Sequence, residues 1–235
     1  MTLLESDALV VRTVDVGESD VVATVVTERF GKLGVVVRGA RKGSRRIGGA
    51  LEPVHTVNVC IDDKGKELST LKESRIVRLR QKVVQDLDAL EAAGVALRWA
   101  RHLFPLRTPE PEGWRVLIDL LDRLDAPGPP PPIARTELAR AGLALLAAVG
   151  WGLELGGCVV CGRICPDDKA AFVDPERGGL VCTRCGGARG VLTPPERRAA
   201  LALAAGGTGG VDDGAAAAVL NLVDLAMAAH AGFER

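Results

Sequence analysis

The chain has 235 residues, 47% of them hydrophobic and 26% charged, which supports a buried core and argues against global disorder. Basic and acidic residues balance at 30 each, so the chain is no histone-like polycation. With 3% aromatics and no Tyr, any nucleic-acid site has few stacking platforms.

Residues 1–80 read as short strands separated by glycine turns. Leu9 to Val14 is β-prone, and Gly17-Glu18-Ser19-Asp20 makes a turn. Val21 to Thr27 is β-branched apart from Ala23, and a second turn is expected over Phe30-Gly31-Lys32-Leu33-Gly34. Val35 to Arg38, Val54 to Ile61 and Leu68 to Leu79 complete five strand regions. Without a helix-length periodic run between them, they point to a small β-barrel or sandwich.

The pattern changes near residue 80. Val83, Leu87, Leu90, Ala93, Leu97 and Ala100 recur at three and four, predicting an amphipathic helix that ends before Pro105. A second helix carries Trp114, Leu117, Ile118, Leu121 and Leu124. Gly128 and Pro129 to Pro132 cannot continue a helix, and a third helix follows with Leu138, Leu145, Leu146 and Val149. After a cysteine-rich stretch, Thr193-Pro194-Pro195-Glu196 has capping-box spacing. A last helix, capped by Asp212 or Asp213, carries Leu220, Val223, Leu225 and Met227. The expected organisation is a β-domain over 1–80, a helical domain over 81–155, a cysteine module over 156–190 and the rest of the helical domain over 191–235. No basic n-region precedes an early apolar run, and no apolar stretch reaches about 18 residues. A cytoplasmic, non-membrane setting is therefore expected.

Cys158-x-x-Cys161-Gly162 and Cys182-x-x-Cys185-Gly186 form two paired-thiol knuckles. Thiolates suit a tetrahedral zinc ion, and four of them leave no open position for a catalytic water, so the pattern predicts a structural Zn2+ site, with buried thiols, a redox pair or an iron–sulfur cluster as the alternatives. Cys165 is a candidate replacement ligand without a partner at the two-residue spacing, and Cys60 reads as a core thiol. A module of this size builds little core of its own, so the metal should supply most of its folding energy.

The charge is unevenly spread: residues 1–28 sum to −5, residues 29–82 to +9 and residues 83–235 to −4. Arg29, Lys32, Arg38, Arg41, Lys42, Arg45 and Arg46 occur with no acidic residue among them. A second cluster holds Lys72, Arg75, Arg78, Arg80 and Lys82. Like charges gathered this way fit a phosphate backbone, giving salt-dependent binding indifferent to sequence; a solvated charged loop, an acidic lipid surface or an acidic protein tail are the alternatives. His55, His102 and His230 have no local partners suggesting catalysis, and no nucleotide-binding glycine loop is present.

The segments Gly17 to Asp20, Thr27 to Leu33, Val37 to Lys42, Ser44-Arg45 and Leu51-Glu52-Pro53 resemble the RecO family of bacterial recombination mediators. So do Gly152, Gly157 and the Cys158/Cys161 knuckle, together with Phe172, Gly178-Gly179 and Cys182/Cys185. The resemblance implies an OB-fold N-terminal domain, a helical C-terminal domain and a four-cysteine zinc module. It implies a non-enzymatic role: binding single- and double-stranded DNA, annealing complementary strands, and loading RecA with RecR on SSB-coated strands in the nucleoid. Zinc then falls to Cys158, Cys161, Cys182 and Cys185, and DNA to the residues around Arg38–Arg46 with Arg29 and Lys32. An acidic SSB tail would need a basic rim, for which Arg98, Arg101, Arg115 and Arg123 are candidates. The competing reading is a zinc-containing transcription or adaptor protein that recognises a specific duplex. That reading needs Arg and Asn on a basic helix, and the only asparagines are Asn58 and Asn221.

Overall fold

The computed structural model describes residues 2–40, 51–127 and 133–232. Five strands, β1 (Thr2–Val16), β2 (Asp20–Thr27), β3 (Gly31–Val37), β4 (Thr56–Asp63) and β5 (Leu68–Arg78), close into a barrel in the order β1-β2-β3-β5-β4. Every pairing is antiparallel except β3 with β5, which runs parallel from Gly34 against Leu68 to Val36 against Thr70. β1 serves two neighbours: Thr2 to Leu9 pairs with β4, and Ala8 to Val16 pairs with β2 across a bulge between Val10 and Arg12. That shared, bent strand joins β2 to β4, and the parallel β3–β5 pairing completes the ring, leaving the sheet without edges. The result is the five-stranded OB-like barrel.

Alternate side chains fill the barrel, among them Val10, Val25, Val35, Val59, Ile61 and Leu71. Burying each contributes about 1.5–3 kcal/mol before the entropy of ordering is set against it. The β2–β3 turn is shorter than the sequence suggests. Thr27 Oγ1 donates to the Gly31 carbonyl at 2.8 Å and accepts from the Phe30 N–H at 3.0 Å, so residues 28–30 turn and Gly31 already begins β3. Gly34, expected in that turn, sits inside the strand where Leu68 crosses closely.

α1 (Gln81–Gln85), α2 (Leu87–Leu103) and α3 (Pro111–Leu124) belong with the barrel to one unit, Met1–Asp125. The periodicity from Val83 predicts one helix, but Asp86 is extended and its carboxylate accepts the Ala89 N–H at 3.0 Å. A cap in that conformation ends α1 and starts α2.

The second unit, Ala126–Arg235, holds α4 (Ala134–Ala148), a four-stranded sheet, α5 (Pro194–Ala204) and α6 (Asp213–Ala231). Its strands are β6 (Glu154–Cys158), β7 (Ala171–Asp174), β8 (Gly179–Leu180) and β9 (Gly190–Leu192), ordered β6-β8-β7-β9. The division between units falls between α3 and α4, within the stretch assigned above to one helical segment. The capping box forms at Thr193 and Glu196, and Asp212 caps α6. α6 is long and apolar enough to cross a bilayer by length and composition, although Asp224 interrupts its apolar run. It packs on α4 and α5, with Ala216, Val219, Val223, Ala226 and Met227 buried on one face.

Candidate metal centre and nucleic-acid interface

The end of β6 delivers Cys158, the turn after it Cys161, and a 3-10 turn over Thr183–Cys185 the second pair. All four Sγ atoms lie within 4.8 Å of one another, and Cys161 and Cys182 are 3.7 Å apart. A tetrahedral thiolate site with Zn–S near 2.3 Å has sulfur separations of roughly 3.8 Å, whereas a disulfide needs about 2.05 Å. The cluster therefore fits a metal ion such as zinc. Each knuckle is closed by backbone bonds: Gly162 N–H to Cys158 O at 2.8 Å, and Cys185 N–H to Cys182 O at 2.9 Å. Gly162 and Gly186 have φ of 71° and 100°, the left-handed conformation the sharp turn requires.

The Cys182 N–H points at Cys158 Sγ from 3.3 Å and, with the Cys161 and Val160 N–H groups, brings the Cys158 thiol down to about 6. Cys185 is pushed up to about 12, chiefly by hydrogen bonding with Cys182 and Cys161. Four sulfurs this close cannot all ionise without a cation among them. Cys165 is outside the cluster, its Sγ set against the Pro166 carbonyl.

Arg197 of α5 holds the module to the helices. It is 1% exposed, and its Nε, Nη1 and Nη2 donate to the carbonyls of Leu155, Pro166 and Cys165 at 3.0, 2.8 and 2.7 Å. Sequence reading missed it, since three backbone acceptors leave no signal in residue spacing.

The predicted DNA residues separate into groups. Arg29 lies in the β2–β3 turn and Lys32 just after it on β3, whereas Arg38 follows the other end of β3. Six residue steps along the strand, about 20 Å, separate Lys32 from Arg38. Lys32 is half-buried, and its ammonium donates to the Arg101 carbonyl at the end of α2. Burial and then the nearby Arg101 charge lower its pKa. Arg29 is exposed and lies over the Phe30 ring.

At the other end, Ala40 after β3 and Leu51 before β4 both pack on the barrel core. Arg41, Lys42, Arg45 and Arg46 lie outside the described residues. The parallel register, continued past Val36 and Thr70, brings Lys72 toward Arg38. Lys72 is exposed and 3.5 Å from Asp62, and Arg75 is exposed opposite Asn58.

Arg80 requires a correction. Its place among alternating cations suggested a phosphate contact, but it is fully buried. Its guanidinium donates to Asp122 Oδ1 at 3.0 and 2.8 Å, to the Val54 carbonyl at 2.7 Å and to Thr56 Oγ1 at 3.0 Å. The strand ends at Arg78, and the turn into α1 carries the next cation inward. Arg78 itself is exposed and pairs with Asp122 Oδ2 at 2.8 Å.

The connections through which OB barrels often grip nucleic acid carry little positive field here. Glu18 and Asp20 mark the first; Asp62, Asp63 and Glu67 offset Lys64 and Lys66 at the second. Of the suggested rim residues, Arg115 and Arg123 pair on their own helix with Glu112 and Asp119. Arg101 contacts His102 through Nη2, and Arg98 is exposed on α2. The histidines have structural neighbours: His55 Nδ1 accepts the Arg80 N–H, and His230 stacks on Trp151 beside the Pro175 carbonyl.

Residues 1–80 match the family model described as Recombination protein O N terminal, and residues 84–234 the one described as Recombination protein O C terminal. The DNA repair protein RecO of Anaeromyxobacter sp. (strain K) is 36% identical over 186 residues, 79% of this chain and 71% of that protein. The DNA repair protein RecO of Geobacter sulfurreducens is 35% identical over 183 residues, covering 78% and 73%. That of Myxococcus xanthus is 36% identical over 186 residues, covering 79% and 74%. With an OB-like barrel, a helical second unit and a four-cysteine cluster within metal-binding distance, the chain belongs to the RecO family of DNA repair proteins.

Proposed function

We propose that the chain is a non-enzymatic recombination mediator. It binds single- and double-stranded DNA through phosphates, anneals complementary strands, and works with RecR to load RecA on SSB-coated single strands in the nucleoid. Family membership across both halves supports the repair role. The observation that carries the mechanism is the set of exposed cations where β3 ends beside β5. Arg38, Lys72 and Arg75 stand on exposed positions there, and the sequence adds Arg41, Lys42, Arg45 and Arg46 between Ala40 and Leu51.

Such a surface neutralises phosphates without reading bases, leaving base edges free to find complements. Arg29 and Lys32 form a smaller group at the other end of β3, with Lys32 partly engaged by α2. The four cysteines hold a structural zinc ion that folds the β6–β9 module, and no step of the DNA reaction passes through it. The SSB tail, an acidic peptide, is assigned to the helical regions.

Annealing of complementary oligonucleotides coated with SSB, measured with and without RecR, tests this reading. The protein should accelerate pairing of coated strands, and RecR should shift the outcome toward RecA loading. No acceleration at low salt contradicts the assignment, and strong preference for one duplex sequence supports the transcription-factor alternative.

A further inference from the structure

Asp122 of α3 takes two arginines on its two oxygens. Oδ1 accepts from Nε and Nη2 of the buried Arg80, and Oδ2 lies 2.8 Å from Nη1 of Arg78. Arg80 is in turn fixed by the Val54 carbonyl and the Thr56 hydroxyl. Val54 itself holds a φ of 70°, uncommon for a β-branched residue. Arg80 therefore holds the carboxylate from behind, with Oδ2 directed at Arg78. To Arg78 the carboxylate presents what a DNA phosphate presents, an anionic oxygen at hydrogen-bonding distance.

The neighbouring cation is placed differently. Arg75 is exposed on the same strand and makes no ion pair among the described residues. Arg78 has 55% of its side chain exposed and Asp122 23%. The pair thus sits at the surface, within reach of a ligand.

We propose that Asp122 is a built-in counter-anion of the DNA interface, occupying Arg78 in the free protein so that a phosphate gains this arginine only by displacing or sharing the carboxylate. The proposal rests on the reading that this end of the barrel holds DNA, and it names the residue that limits affinity there. Arg80 acts through Asp122 and is a positioning residue. For a protein that must release strands after pairing them, a tethered competitor keeps one contact exchangeable.

The test is binding of a fluorescent duplex by the full-length protein across a salt series. Asp122→Asn keeps an oxygen for Arg80 and removes the charge. It should tighten binding about two- to fivefold and steepen the salt dependence by up to about 0.9 in log–log slope, the signature of one added phosphate. Arg78→Gln in the Asp122→Asn background should cancel that gain. In the native background, Arg78→Gln should flatten the slope less than Arg75→Gln does.

The proposal is overturned if Asp122→Asn binds no tighter, or if its gain survives the removal of Arg78. Should Asp122→Asn fail to fold, the two surface substitutions decide: equal flattening of the slope by Arg75→Gln and Arg78→Gln overturns it. If neither Arg75→Gln nor the Arg41/Lys42/Arg45/Arg46 alanine variant alters binding, the DNA reading of this barrel end fails instead.

Discussion

Arg197 donates to three carbonyls of the cysteine module from a position on α5, with almost no exposure to solvent. Replacing it by Met keeps much of the volume but leaves those acceptors unsatisfied. The expected cost is about 3 kcal/mol, read as a lower chemical-denaturation midpoint for the second unit. Asp63 offers a pH-dependent counterpart. Its carboxylate takes the Arg107 guanidinium at 2.7 and 3.1 Å and the Ser69 hydroxyl at 2.8 Å, which holds its pKa well below the ordinary carboxylate range. A depressed native pKa means the stabilisation is complete above the unfolded-state value and is lost as pH falls through it toward the native value. Asp63→Asn should therefore differ most from the native chain above about pH 4, and the difference should shrink below it. A stability gap independent of pH over that range contradicts the role given to the charge.

The elements show what residue order does and does not reveal. β2 was legible in its β-branched run, and the C-x-x-C-G pairs were legible because two sulfurs on one tight turn need that spacing. The closure of the barrel was not. It depends on residues 34–36 pairing with 68–70, a non-local pairing that no local pattern encodes. The break at Asp86 was hidden by apolar spacing that runs through it, and Arg80 looked exposed because alternation was extended one step beyond the strand.

The cysteine module carries an element-scale prediction. β7, β8 and β9 are four, two and three residues long, too short to fold alone, so on the proposed zinc reading metal ligation joins Arg197 in holding them. A strong chelator, or Cys182→Ala, should remove the bound metal and expose amides 154–192 to rapid hydrogen exchange while barrel amides stay protected. Full protection of the module without metal contradicts a structural role for the cluster.

For the whole molecule, a net charge of zero conceals a positive segment between two acidic ones. On the barrel, Arg38 and Lys72 approach through the parallel register and Arg75 follows on β5. The fold withdraws other cations: Arg80 into the interior, Lys32 onto the end of α2, and Arg78 onto Asp122. The phosphate-holding account therefore depends most on the four basic residues between Ala40 and Leu51, and the decisive measurement is the salt dependence of DNA affinity with and without them. The native chain should bind unrelated sequences alike with a steep log–log slope, and alanine at Arg41, Lys42, Arg45 and Arg46 should flatten that slope by about 0.9 for each phosphate no longer neutralised. Equal slopes and equal affinities for the two proteins contradict the account.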